Sequence, residues 1–187
     1  MRILRFYTYL PFVTLSILFS CNRVQNTKSP NDLLQEKWKN KQIIFPDKLK
    51  QVILKGQELS ILFPNSDVKV ITYIDAGCSS CMLELDEWLK FIAGYNGPNK
   101  VKFVAIFKAP NYSYLEYYLK DKHAPNALIL YDQNDEFYKK NNLPPSNKLK
   151  GMLLSKNNKV ELIGSPVYLS ELKPIYYKKI DSLNTIR

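Results

Sequence analysis

Two cysteines separated by two serines, Cys78-Ser79-Ser80-Cys81, are the residues of this 187-residue chain whose type and spacing can do chemistry. A pair at that spacing can exchange disulfides reversibly, hold a soft metal ion, or close a static disulfide that staples the chain. A structural zinc site needs four ligands. The chain offers no second cysteine pair, and its one histidine, His123, lies in the turn-like run Lys120-Asp121-Lys122-His123-Ala124-Pro125, which reads as surface and also argues against a copper site. Covalent haem attachment needs histidine directly after the second cysteine, where Met82 stands. A peroxidatic site would want upstream proline and threonine, and Asp75-Ala76-Gly77 supplies neither. No metal and no bound cofactor is expected. Disulfide exchange and a static staple remain.

The flanking residues say where the pair sits. Upstream, Val68-Lys69-Val70-Ile71-Thr72-Tyr73-Ile74 is a β-branched and aromatic run of the kind found in buried central strands. Downstream, Met82, Leu85, Trp88, Leu89 and Ile92 recur at intervals of three and four, which predicts a helix to about Ala93, ended by Gly94 and Gly97-Pro98. The cysteines therefore fall where a strand hands over to a helix. Asp75 and Glu84 lie close to the pair and are candidate proton carriers, although their sequence setting reads as loop and helix-surface carboxylates.

Further along, strands are expected at Val101–Phe107 and Ala127–Tyr131, and helices at Tyr112–Leu119 and Asp135–Lys140. A hairpin follows, of Leu149–Leu154 and Val160–Ile163 around Lys156-Asn157-Asn158-Lys159, and then a closing amphipathic helix over Ser170–Leu183. Before the central strand, Asn31 or Asp32 could cap a short helix to Trp38, Gln42–Phe45 reads as a strand, and residues 50–63 suggest one or two more. Trp38 and Trp88 fit core positions; Tyr168, Tyr176 and Tyr177 are expected to pack the last helix.

This order predicts an α/β domain, a three-layer α/β/α sandwich with a mixed central sheet. Over residues 50–184 it resembles the thioredoxin-like fold, and is most similar to the exported, membrane-tethered thiol-disulfide oxidoreductases of bacteria, the redoxin lipoproteins. The resemblance implies that the pair is redox-active. Cys78, at a helix N-terminus where free N–H groups and the helix dipole favour an anion, would be the nucleophile. Cys81, one turn on and on the same face, would resolve the mixed disulfide. Three positions depart from the family pattern. Gly77 stands where an aromatic residue usually precedes the first cysteine, and Thr72 where a buried acid sits six residues before it. Leu149-Lys150-Gly151 stands where a cis-proline introduces the strand facing the pair; Pro144 and Pro145 lie further upstream. These departures keep open a second reading, a non-catalytic thioredoxin-fold lipoprotein with a binding or assembly role.

The N-terminus places the domain. Arg2 and Arg5 precede the apolar stretch Leu10–Ser20, too short for a comfortable membrane span and suited to a secretion signal. It ends in Leu18-Phe19-Ser20-Cys21, which resembles the lipobox of bacterial lipoproteins, with Cys21 as the lipidated residue. Residues 1–20 are thus expected to be a signal peptide, 21–30 a polar tether, and 31–187 the domain with its N-terminal extension. Giving Cys21 to a lipid leaves Cys78 and Cys81 as an even pair in an oxidising compartment. The expected location is the cell envelope, on the periplasmic side of a membrane. The net charge of +10 is dispersed along the chain, which speaks for solvated surface and against nucleic acid as a partner. The expected partners are protein thiols or disulfides of the envelope.

Overall fold

The computed structural model describes residues 29–54, 68–77, 79–97, 101–122 and 127–185. The proposed signal peptide, nearly all of the tether, Cys21, Cys78 and His123 lie outside the described residues.

Helix α1 (Pro30–Trp38) starts at a reciprocal cap. The Ser29 hydroxyl accepts from the Asp32 N–H at 3.2 Å, and the Asp32 carboxylate accepts from the Ser29 N–H at 3.1 Å. The cap is therefore Ser29, and neither Asn31 nor Asp32: Pro30 takes the first helical position, where a missing N–H costs nothing. Gln42–Phe45 forms no strand beyond a single bridge from Gln42 to Lys159. Its backbone is satisfied elsewhere. The Ile43 N–H donates to the Asn158 carbonyl, and the buried Asn141 amide both accepts from the Ile44 N–H at 2.8 Å and donates to the Ile44 carbonyl at 2.7 Å. A side chain thus does the work of a neighbouring strand.

The sheet has six strands in the order β1-β4-β3-β2-β5-β6. They are β1 (Lys50–Val52), β2 (Val68–Asp75), β3 (Val101–Lys108), β4 (Ala127–Tyr131), β5 (Gly151–Leu154) and β6 (Val160–Ile163). Strands β2, β3 and β4 are parallel, with Thr72 opposite Ala105 and Ala105 opposite Ile129. β1 is antiparallel to β4, and the β5–β6 hairpin runs antiparallel against β2, with Thr72 opposite Gly151. The hairpin turn uses Asn158 at φ 59°, as its asparagines suggested. Helices α2 (Ser79–Ala93), α3 (Tyr112–Leu119), α4 (Glu136–Asn141) and α5 (Leu172–Thr185) complete the fold.

Alternation along β2 divides the interior. Val68, Val70 and Ile74 face a core shared with Met82, Leu85, Trp88 and Phe91 of α2, Leu115 and Leu119 of α3, and Tyr176 and Ile180 of α5. Ile71 and Tyr73 face a second core with Trp38 of α1 and Phe137 of α4. Each fully buried side chain of this size contributes about 1.5–3 kcal/mol relative to exposure. The three layers are those expected. Tyr176 is fully buried and donates its hydroxyl to the Gly164 carbonyl at 2.7 Å, and Tyr177 packs on Phe91, so both serve the last helix as anticipated. Among the described residues no helix is long and apolar enough to cross a membrane.

Candidate active site

The site is built at the C-terminal end of β2. Asp75 ends the strand, and its carboxylate accepts from the Gly77 N–H at 2.9 Å, which holds the turn leading to α2. That structural duty agrees with the loop reading of Asp75. Helix α2 begins at Ser79, the residue after Cys78, so Cys81 falls in its first turn. Cys81 is half-buried against the main core. Leu83, on the next position but one, is 61 % exposed beside it.

Glu84 corrects the sequence reading. It is a buried residue, 4 % exposed, and no surface carboxylate. One helical turn after Cys81, it shares the inward stripe of α2 with Leu85 and Trp88. The Trp88 indole N–H donates to Glu84 Oε1 at 3.1 Å, the Thr72 hydroxyl donates to the same oxygen at 3.5 Å, and the Tyr168 hydroxyl donates to Oε2 at 2.9 Å. Burial raises the Glu84 carboxyl above the ordinary carboxylate range, against the opposing pull of the three donors and of the Lys150 charge. At Thr72, β2 presents a hydroxyl toward α2, and the buried carboxyl that it meets belongs to the helix.

Two further residues had no role at the site in the sequence reading. Tyr168 lies in the loop after β6, 41 % exposed, where it was expected to pack the last helix. The loop is fixed by Gly164, which adopts φ 119° and donates its N–H to the Gly151 carbonyl, and by Ser165, whose N–H donates to the Lys148 carbonyl at 2.7 Å. The Ser165 carbonyl then accepts from the N–H groups of Tyr168 and Leu169, which sets Tyr168 over Glu84. Burial, with the neighbouring Glu84 charge, leaves its phenol pushed up to about 12. Lys150, immediately before β5, is 8 % exposed, with its ammonium 5.6 Å and 5.4 Å from the ring centroids of Tyr73 and Tyr138. On that side of the sheet the Tyr73 hydroxyl donates to Asp135, which also pairs with Lys108 at 3.6 Å.

Strand β5 starts without a proline. Among the described residues no peptide bond is cis, and Gly151 occupies the position. Among the same residues no three His, Cys, Asp or Glu side chains cluster as metal ligands do.

The raised Glu84 carboxyl sets a pH dependence of stability. Between the ordinary carboxyl value and its raised folded value, the native protein keeps a proton that the unfolded chain has lost. Its contribution therefore falls as pH rises through that window. Glu84→Gln removes the ionisation while its carbonyl can still accept from Trp88, and its amide N–H can donate to the Tyr168 oxygen in place of the bond that Oε2 accepted. Urea midpoints measured against pH should show the variant gaining on the wild type from acid toward neutral pH. A constant difference across the series would show that Glu84 is not perturbed.

Parallel β2–α2–β3, an antiparallel hairpin beside β2 and a closing helix on the α2 face define a thioredoxin-like α/β domain, with the Cys81–Glu84 turn at its switch from strand to helix. No family model and no curated protein matches the chain. Solved structures do. It is similar to a thioredoxin-like protein from Porphyromonas gingivalis (17 % identity, 64 % of this chain and 77 % of that one, TM-score 0.46). It is also similar to the thioredoxin domain of a thiol-disulfide oxidoreductase from Bacteroides vulgatus (16 %, 59 % and 81 %, TM-score 0.43). A third likeness is to an exposed lipoprotein thioredoxin from Streptococcus pneumoniae (13 %, 59 % and 86 %, TM-score 0.41).

Proposed function

We propose that this chain is a thiol-disulfide oxidoreductase of the bacterial cell envelope, held at a membrane through a lipid on Cys21 and acting on protein thiols with Cys78 and Cys81. The observation that carries this reading is the buried Glu84 carboxyl one turn beyond Cys81. A static disulfide has no use for a costly buried acid beside it, whereas a thiol that must lose and regain a proton does.

In the reducing direction, the Cys78 thiolate attacks a disulfide of the partner. A mixed disulfide forms and one partner sulfur leaves as thiolate. Cys81 then gives its thiol proton to the Glu84 carboxylate and attacks the Cys78 sulfur. The Cys78–Cys81 disulfide forms and the second partner sulfur departs. Run backwards, the same steps oxidise a partner dithiol. Free N–H groups in the first turn of α2 would favour the Cys78 anion, and exposed Leu83 offers apolar contact to a docked polypeptide.

The test is alkylation of the reduced full-length protein across pH, together with equilibration of the pair in glutathione buffers. A Cys78 thiol ionised at neutral pH and a potential in the range of known oxidoreductases are expected. An ordinary thiol pKa with a disulfide that glutathione does not reduce would overturn the proposal in favour of the binding lipoprotein.

A further inference from the structure

Glu84 has a problem of access. To accept a proton from Cys81 on every cycle it must return that proton to water, yet it is 4 % exposed. Its hydrogen-bond donors among the described residues differ sharply in reach. Trp88 is fully buried and Thr72 is 1 % exposed, and both donate to Oε1. Tyr168, at 41 % exposure, donates to Oε2 at 2.9 Å. One carboxylate oxygen is thus tied to the interior, and the other is joined through a single hydroxyl to a side chain that meets solvent.

Building on the proposed redox cycle, we infer that Tyr168 is a positioning residue whose hydroxyl carries protons between Glu84 and bulk water while Cys81 cycles. The transfer balances without a co-reactant. Glu84, protonated by Cys81, passes that proton to the Tyr168 oxygen as the phenolic proton leaves to water, and rotation of the hydroxyl restores its bond to the carboxylate. One proton has then moved from Cys81 to solvent, and Glu84 is again ionised. The loop supports this duty, because Ser165 holds Tyr168 in a turn tied to the first residues of β5. The groups hydrogen-bonded to Glu84 are Trp88 from α2, Thr72 from β2 and Tyr168 itself; Cys81 lies one helical turn before it, and the Lys150 charge acts at longer range from the start of β5. Asn147 lies beside the Tyr168 hydroxyl. Of these, only Tyr168 combines a titratable hydroxyl, a direct bond to Glu84 and a side chain that is largely open to solvent.

Tyr168→Phe in the full-length protein removes the hydroxyl from a half-exposed ring. Two measurements decide. In single turnovers monitored by intrinsic tryptophan fluorescence, resolution of a mixed disulfide with oxidised glutathione should slow about tenfold. Its pH profile should move to higher pH, because the carboxylate has lost a donor. The double variant with Glu84→Gln should be no slower than Glu84→Gln alone, and Tyr168→His, which keeps a polar hydrogen, should recover part of the rate. Independently of thiol chemistry, the Glu84 carboxyl carbon followed by NMR should titrate at higher pH in Tyr168→Phe. Wild-type rates with a superimposable pH profile in Tyr168→Phe would overturn the inference. If the wild type exchanges no disulfide at all, the redox reading falls, and the Glu84 titration still decides: an unmoved titration sinks the link to Tyr168, and a shifted one supports it.

Discussion

Cys81→Ser protein is expected to accumulate a covalent mixed disulfide through Cys78 when exposed to a disulfide-bonded protein, while Cys78→Ser protein accumulates none and its exchange activity falls to background. The asymmetry follows from the helix. α2 starts at Ser79, so on the proposed roles its unpaired N–H groups would favour a thiolate on the preceding residue, Cys78; Cys81 is half-buried inside the first turn. Removing Cys78 leaves a thiol that partners reach poorly and that is not activated. Removing Cys81 leaves the attack intact but deletes an intramolecular resolution that has a large proximity advantage. Release then depends on external thiol, and the adduct should persist at least about a thousandfold longer. Non-reducing gels and mass spectrometry of the trapped species check this. Equal trapping through Cys81 in the Cys78→Ser protein would reverse the assigned roles.

The framework around this site was legible because its elements carry strong periodic signals. α3 and β4 fall on the expected residues, and β2, β3 and α2 within one or two of them, since runs such as Val101–Phe107 and the Met82–Leu85–Trp88 stripe admit one burial pattern each. Where two local signals competed, the reading missed. Asn31 and Asp32 are good caps by type, but Ser29-Pro30 with Asp32 three positions after the serine outranks them by geometry. Gln42–Phe45 has strand composition, yet its partner is an asparagine side chain nearly a hundred residues on, which no local pattern announces.

Glu84 was misjudged through its residue type, since a lone carboxylate usually points to water. A usable signal existed: it stands between Cys81 and Trp88 on the inward stripe, and buried Thr72 lies on the face of β2 turned toward it. Tyr168 had no such signal. It reaches Glu84 from 84 residues away through a loop whose course depends on the glycine at 164 and the serine at 165.

Gly151 joins fold and site, and enlarging it is expected to damage both. A Cβ there would lie 2.8 Å from two carbons of the Trp88 ring and 2.8 Å from the Ser165 Cα, so something must shift. Ser165 cannot yield easily, because its backbone is held by Lys148 and in turn holds Tyr168. The indole has little room either. It stacks on Phe103 at 5.7 Å, meets Phe91 edge-on at 5.8 Å, and donates its N–H to Glu84. Gly151→Ala therefore brings an overpacking cost of about 1–3 kcal/mol, and displacement of Trp88 weakens a hydrogen bond to a buried carboxyl by a comparable amount. A total of roughly 3 kcal/mol corresponds to a fall in Tm of about 10 °C for a chain of this size. Calorimetry should show that fall, and Trp88→Leu combined with Gly151→Ala should cost less than the two changes added, because the smaller side chain vacates the space the new methyl needs. The same displacement takes a donor from Glu84, so its carboxyl should titrate still higher in Gly151→Ala than in the wild type. Strict additivity in the cycle, with Glu84 unmoved, would mean that Gly151 is there for its backbone and that the start of β5 is not coupled to the buried acid.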